Sequence, residues 1–188
     1  MDLLTTHRTL LEQWRKTMNL VGPGPLSEHY ADADESLSIL DEPTGHWADL
    51  GTGAGLPGII FAAMFPQVSL DLVDSRRKRC IFVGQVLMQA DLEGHAPRTV
   101  HCQRVETLPD ATYDGIVSRA FAPPPAVLDH ADRLLKPGGF VLLLLMGDAE
   151  IPSDRRYSVV REHSYTLPGR DPRRSVLLQR VNAAVSAP

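Results

Sequence analysis

The sequence predicts an α/β fold in which two N-terminal helices precede a mostly parallel sheet of seven strands. Between residues 46 and 146, short apolar stretches alternate with helical ones, which is the pattern of a parallel sheet. Two further strands are expected at 157–166 and 175–181, around a turn rich in proline and glycine. This hairpin would close the sheet with an antiparallel strand. A length of 188 residues suits one such domain.

The N-terminal segment is predicted to form two helices. The first carries apolar residues at near-helical spacing, namely Leu3, Leu4, Leu11, Trp14 and Met18. Glycine and proline at 22–25 then interrupt the chain, and a second helix is expected over about 27–40 with Ser27 as its N-cap. We therefore predict a helical extension over residues 1–42 and a main domain over residues 43–188.

The main domain is predicted to begin with a strand at 46–50 that runs into a glycine-rich turn. Further strands are expected at 69–74, 99–103, 113–118 and 139–146, with helices at 57–64, 76–91 and 124–135. Pro57 is expected as a first helical residue, a position that tolerates the missing N–H.

The turn after the first strand has the features of a nucleoside-binding site. Gly51, Gly53 and Gly55 can adopt positive φ at no steric cost and allow a ligand to approach the backbone. Asp74 follows the second strand 19 residues past Gly55, a spacing that suits hydrogen bonds to ribose hydroxyls. A nucleoside cofactor is therefore expected across the carboxyl ends of these two strands.

The glycines alone leave the cofactor open, because with Gly58 they also match the dinucleotide pattern G-x-G-x-x-G. Two features favour S-adenosylmethionine. Asp49 stands two residues before Gly51, and the segment Leu135–Gly139 precedes an apolar strand as in the corresponding turn of class I methyltransferases. The predicted fold is thus the Rossmann-like class I S-adenosylmethionine-dependent methyltransferase fold.

Six segments carry a recognisable combination of motifs, namely Trp14–Leu20, Asp49–Gly58, Leu72–Arg79, Arg104–Glu106, Val117–Ala122 and Leu135–Gly139. Together they resemble the ribosomal small-subunit methyltransferase G family, also called glucose-inhibited division protein B, whose members methylate N7 of a guanine in 16S rRNA. The Leu-Pro-Gly and Ser-Arg-Ala elements among them are unusual in other methyltransferases.

The resemblance implies roles for particular residues. Val105 and Glu106 would meet the adenine, and the remaining cofactor-binding residues would be Asp49, Gly51, Thr52, Gly53, Gly55, Leu56, Asp74, Ser75 and Arg119. Substrate-binding residues would be His29, Arg77, Lys78, Arg79 and Arg119. Arg119 would also orient the acceptor, and no general base is expected because guanine N7 loses no proton. Simpler alternatives are an Arg119 ion pair with a surface carboxylate, a solvated Glu106 and a structural His29.

Departures from the family pattern leave a second function open. Glu28 and Met146 replace basic residues, and the net charge is −4 with a pI near 5.9, whereas nucleic-acid proteins usually carry a basic footprint. The chain could therefore be a paralogue that methylates a small molecule, or, with less support, a non-catalytic nucleotide-binding module. The expected partner is 16S rRNA or the small ribosomal subunit. A cytoplasmic protein without a membrane span or a metal site is expected from the apolar and cysteine patterns.

Overall fold

The computed structural model describes residues 1–181, which form a seven-stranded sheet flanked by helices on both faces. In chain order the elements are α1 (Leu3–Trp14), α2 (Leu26–Leu37), β1 (His46–Leu50), α3 (Gly58–Met64), β2 (Ser69–Val73), α4 (Arg77–Gln89), β3 (Arg98–His101), a short 3-10 helix (Val105–Thr107), β4 (Tyr113–Arg119), α5 (Pro124–Leu134), β5 (Leu135–Met146), β6 (Tyr157–Tyr165) and β7 (Arg173–Arg180). Within residues 1–181, no helix combines the length and the apolarity needed to cross a membrane.

The strand order is β3-β2-β1-β4-β5-β7-β6. The first five strands of this order run parallel, and β7 lies antiparallel between β5 and β6. The predicted seven-stranded sheet with its antiparallel C-terminal strand is confirmed. Because the chain moves outward from β1 to β3 and then returns to β4, a crevice opens at the carboxyl ends of β1 and β4, where ligands bind in sheets of this type.

Two apolar layers hold the sheet, one on each face. One layer joins the first four helices to the sheet and contains Leu11, Leu37, Ile59, Leu72 and Phe82, all fully or nearly fully buried. The other packs α5 against the opposite face of the sheet. Helices α1 and α2 therefore share a core with α3 and the sheet. The division at residues 42 and 43 stays a prediction, and its final residues, 182–188, lie outside the described part of the chain.

Two predicted helix starts are wrong by a residue or two. Helix α2 begins at Leu26 with Pro25 as N-cap, so Ser27 lies inside its first turn. Pro57 is likewise the N-cap of α3 and not its first residue. In both cases proline fixes φ and lacks the N–H, so it can stand directly before a helix without a side-chain cap.

Strand β5 begins at Leu135, four residues before the predicted start at 139. Leu135 pairs with Tyr113, and the next pairing joins Phe140 to Gly115. The intervening residues form a bulge in which Gly138 has φ of +75°. The predicted turn exists, but it lies within the strand because Leu135 already pairs with β4.

Candidate active site

The glycine-rich turn lies directly after β1 and is fastened to the end of β2. The backbone N–H groups of Gly51 and Thr52 both donate to the carbonyl of Val73 at 2.9 Å. Gly51, Gly53 and Gly55 have φ values of 72°, 59° and 81°. These left-handed conformations explain the glycines, since residues with a Cβ adopt them only with strain.

The surroundings of the glycines differ. A Cβ on Gly58 would collide with the side chains of Leu72 and Asp49, so this glycine permits α3 to pack closely on the sheet. A Cβ on Gly53 would instead have the Arg79 guanidinium at 3.6 Å as its nearest neighbour. A Cβ on Gly53 would therefore make ordinary van der Waals contacts, so the φ of +59° and not crowding explains this glycine.

Asp49 supports the turn from beneath. Its Oδ2 accepts the Gly58 N–H at 3.1 Å, and the residue is only 1% exposed. Burial raises the pKa of the Asp49 carboxyl to about 6. The carboxylate therefore tethers the start of α3 to β1 and does not reach the cleft described below.

His7 of α1 holds the same turn from the other side, a residue that the sequence analysis did not single out. Its Nε2 lies 2.6 Å from the carbonyl oxygen of Ala54, and its Nδ1 contacts the Tyr30 hydroxyl. Burial lowers the pKa of His7 to about 4, so the ring is neutral. With these partners, Nε2–H donates to Ala54 and Nδ1 accepts from Tyr30.

A cleft of about 360 Å³ opens between the turn and the segments after β2, β3 and β4. It is lined by Gly51, Val73, Asp74, Ser75, Arg76, Arg79, Gln103, Arg104, Val105, Glu106, Ala120 and Phe121. We call it the cofactor cleft. Within it, Asp74 Oδ2 accepts the Gly53 N–H at 3.0 Å, and Oδ1 accepts the Arg76 N–H at 2.8 Å.

The structure brings together five of the residues predicted to bind the cofactor, which are Gly51, Asp74, Ser75, Val105 and Glu106. Five others lie outside the lining, namely Asp49, Thr52, Gly53, Gly55 and Leu56. Of these, Asp49, Thr52 and Leu56 are nearly fully buried. Glu106 is exposed and lies 3.0 Å from the Arg104 guanidinium. Phe121 lines the cleft without having been predicted, because only the fold brings its ring against Gly51.

Two predicted arginines line different pockets. Arg79, predicted to meet the substrate, lines the cofactor cleft with Nη1 3.5 Å from Asp74 Oδ2. Arg119, predicted to touch both cofactor and acceptor, lies outside the cofactor cleft and lines a neighbouring pocket. The helical phase of Arg79 on α4 and the direction of β4 at Arg119 decide these positions.

That second pocket has a volume of about 420 Å³, and we call it the acceptor pocket after the role proposed for it below. Its lining comprises His29, Asp32, Ser118, Arg119, Ala120, Ala122, Pro124, Val127, Leu143, Leu144, Leu145, Met146, Ala149, Tyr165 and Arg173. It meets the cofactor cleft at Ala120, the residue common to both, whose φ is +53°. A non-glycine residue in this conformation is strained, as is frequent at functional sites.

Arg119 is ion-paired within the acceptor pocket. Its Nη1 lies 3.2 Å from Asp32 Oδ2, and its side chain remains 26% exposed. His29 lines the same pocket, with Nε2 3.2 Å from the Gly22 carbonyl oxygen, and burial lowers its pKa. The simpler alternative of an Arg119 ion pair is thus present, but the pair lies on the pocket wall.

Some basic residues near the two pockets are exposed, whereas others are ion-paired with acidic residues. Arg77 and Lys78, in the first turn of α4, are exposed and line neither pocket. By contrast, three arginines near the β6–β7 turn have acidic partners, in the pairs Arg170–Glu28, Arg173–Asp32 and Arg174–Glu162. Arg77 and Lys78, unlike these three arginines, have no acidic partner within residues 1–181.

The sheet order, the glycine turn and the two adjoining pockets define a class I S-adenosylmethionine-dependent methyltransferase. The structure of a predicted O-methyltransferase from Agrobacterium tumefaciens has the same fold, with a TM-score of 0.61 and 21% identity over 80% of this chain and 79% of that chain. The model of the GidB family, described as rRNA small subunit methyltransferase G, matches residues 1–164. The chain belongs to this family.

Individual relatives agree with this assignment. Ribosomal RNA small subunit methyltransferase G of Paracoccus denitrificans is 32% identical over 76% of this chain and 75% of its own length. The protein of the same name from Caulobacter vibrioides is 35% identical over 90% of this chain and 80% of its own length. Across the relatives compared, the matched part spans 61% to 80% of the relative's length. The resemblance drawn from the sequence motifs is confirmed.

Proposed function

We propose that the protein transfers a methyl group from S-adenosylmethionine to N7 of a guanine in 16S rRNA. Its family and the names of its relatives support an rRNA acceptor. The observation that carries the proposal is the meeting of the cofactor cleft and the acceptor pocket at Ala120. Methyl transfer is an in-line displacement, so it requires a donor site and an acceptor site next to each other.

The cofactor cleft suits an adenosyl group. Asp74, with its carboxylate at the turn, offers acceptor lone pairs to ribose hydroxyls, and Val105 offers an apolar contact to the adenine. Gly53, whose N–H donates to Asp74 Oδ2, has no Cβ that could obstruct a ligand bound to that carboxylate. When bound, S-adenosylmethionine would supply a methyl group activated on a positively charged sulfur.

The acceptor pocket suits a base that needs no deprotonation. Guanine N7 presents a neutral lone pair, so a general base is not required. Asp32, the acidic residue of the pocket lining within residues 1–181, is already paired with Arg119. The remaining donors of the Arg119 guanidinium can bind guanine O6 or a phosphate oxygen. The protein's task is then to hold the base in line with the methyl group.

RNA binding would depend on a local basic surface, since the chain has a net charge of −4. Arg77 and Lys78 project from α4 beside the cofactor cleft, where they could bind the phosphates that flank the target base. Arg79 is half-buried against Asp74 and contributes less to this surface.

A paralogue that methylates a small molecule is the second candidate. Glu28 is ion-paired with Arg170 at the edge of the acceptor pocket and so neutralises a charge that could bind phosphate. One wall of the pocket is apolar, formed by 143–146 of β5. Both features would suit a compact, partly apolar acceptor.

The test uses small ribosomal subunits purified from a strain that lacks this gene. The subunits are incubated with the protein and S-adenosylmethionine carrying an isotopically labelled methyl group, and the rRNA nucleosides are separated by mass spectrometry. Label in 7-methylguanosine, and in no other nucleoside, supports the proposal. If the protein binds S-adenosylhomocysteine in calorimetry yet leaves both intact subunits and naked 16S rRNA unlabelled, the small-molecule function replaces it.

A further inference from the structure

Asp32 carries the one carboxylate among the residues that line the acceptor pocket within the described chain. It lies on α2, is about 21% exposed, and borders a smaller neighbouring cavity as well. An acidic residue in a pocket meant for an anionic polymer needs an explanation, because it repels phosphate.

Two hydrogen-bond donors and a third, ion-paired group from distant parts of the chain converge on this carboxylate. Arg119, at the end of β4, contacts Oδ2 at 3.2 Å across 87 residues of sequence. The Tyr165 hydroxyl, at the end of β6, donates to Oδ1 at 3.0 Å and to the Asp32 carbonyl oxygen at 3.1 Å. Arg173, at the start of β7, brings Nε to 3.8 Å from Oδ1.

We propose that Asp32 is a positioning residue that fixes the Arg119 guanidinium on the wall of the acceptor pocket and joins that wall to the β6–β7 hairpin. The proposal rests on the acceptor-orienting role given to Arg119 under the proposed function. Asp32 itself makes no contact with the methyl donor or with the reacting nitrogen.

The electrostatics of the pocket explain why a carboxylate is needed at this point. Arg119 and Arg173 both approach Asp32, so without the negative charge the two guanidinium groups would repel each other. Tyr165 stays neutral, because burial and the nearby Asp32 raise the pKa of its hydroxyl, and it therefore remains a donor. An arginine has many rotamers, and a fixed partner removes most of them.

The variant Asp32→Asn removes the negative charge and keeps the size of the side chain, and its amide oxygen can still accept a hydrogen bond from Tyr165. We expect kcat for rRNA methylation to fall about 10- to 100-fold, since a small misplacement of an orienting group is costly. The dissociation constant for S-adenosylhomocysteine should stay within twofold of the wild-type value. Asp34→Asn, an exposed residue of the same type on the same helix, is the matched control and should behave as wild type.

A double-mutant cycle tests whether Asp32 acts through Arg119. In the Arg119→Ala background, adding Asp32→Asn should lower kcat no further. A fully additive loss would mean that Asp32 touches the acceptor directly, and a wild-type kcat for Asp32→Asn would also overturn the proposal.

A measurement without any acceptor keeps this inference separate from the proposed function. In protein with ¹⁵N-labelled arginine, the Arg119 Nε–H signal is identified by its loss in Arg119→Lys. Its order parameter should fall in Asp32→Asn and not in Asp34→Asn, while Arg98, held by several backbone carbonyls, serves as a reference. An unchanged Arg119 signal refutes the positioning role. A mobile Arg119 in Asp32→Asn, with no rRNA methylation by the wild type, refutes the proposed function alone.

Discussion

Replacing Asp49 with asparagine is expected to change how the stability of the protein depends on pH. Burial raises the pKa of this carboxyl from 3.8 to about 6, so the folded protein binds its proton more tightly than the unfolded chain does. Asp49 therefore contributes instability at neutral pH, which is relieved as the pH falls from 6 towards 4. The shift of its pKa corresponds to a loss of about 3 kcal/mol in the free energy of unfolding at neutral pH.

His7 acts in the opposite direction over nearly the same range. Burial lowers its pKa from 6.5 to about 4, so the unfolded chain takes up the proton first and stability is lost as the pH falls through this interval. This loss is also about 3 kcal/mol. In the wild-type protein the effects of His7 and Asp49 should nearly cancel between pH 4 and pH 6.

The assay is urea unfolding of the wild type, Asp49→Asn and His7→Gln at half-unit steps from pH 4 to pH 7. Asparagine can still accept the Gly58 N–H, so the contact is retained. The free energy of unfolding of Asp49→Asn, relative to that of the wild type, should rise by about 2–3 kcal/mol as the pH increases from 4 to 7. His7→Gln should show the reverse, gaining about 3 kcal/mol as the pH falls. Curves parallel to that of the wild type would refute this electrostatic account.

Three further predictions concern ligand binding. Asp74→Ala should weaken the binding of S-adenosylhomocysteine by about 1.5–3 kcal/mol in calorimetry, because charge-assisted hydrogen bonds to the ribose are lost. If the wild type bound NAD more tightly than S-adenosylmethionine, the assignment of S-adenosylmethionine as the cofactor would be contradicted. Gly53→Ala should remain folded, at a strain of about 1 kcal/mol, yet lose cofactor affinity. Gly58→Ala should lower the melting temperature, because its Cβ collides with Leu72 of β2 and with Asp49. A lower melting temperature for Gly53→Ala than for Gly58→Ala would show that Gly53 is structural. Converting Arg77 and Lys78 to glutamate should weaken 16S rRNA binding and flatten its salt dependence with cofactor affinity unchanged, and an identical salt slope would exclude this surface from RNA binding.

The features that could be predicted correctly from the sequence depend on residues that are close together in the chain. The alternation of strands and helices, the glycine turn and the position of Asp74 depend on spacings within residues 46–75 and on short repeats of apolar residues. Such spacings fix local backbone geometry, because a parallel strand, a tight turn and a helix each require particular residues at particular distances. The cofactor cleft was therefore predictable in outline.

Only the tertiary structure decided which distant side chains meet. The contact of His7 with Ala54 and the convergence of Arg119 and Tyr165 on Asp32 join residues 47, 87 and 133 positions apart. No local spacing encodes these pairs, since they depend on how α1 and α2 pack over the turn and on where β6 and β7 enter the sheet. The same packing turns Arg79 towards the cofactor cleft, because burial of one face of α4 fixes the direction of every side chain on that helix.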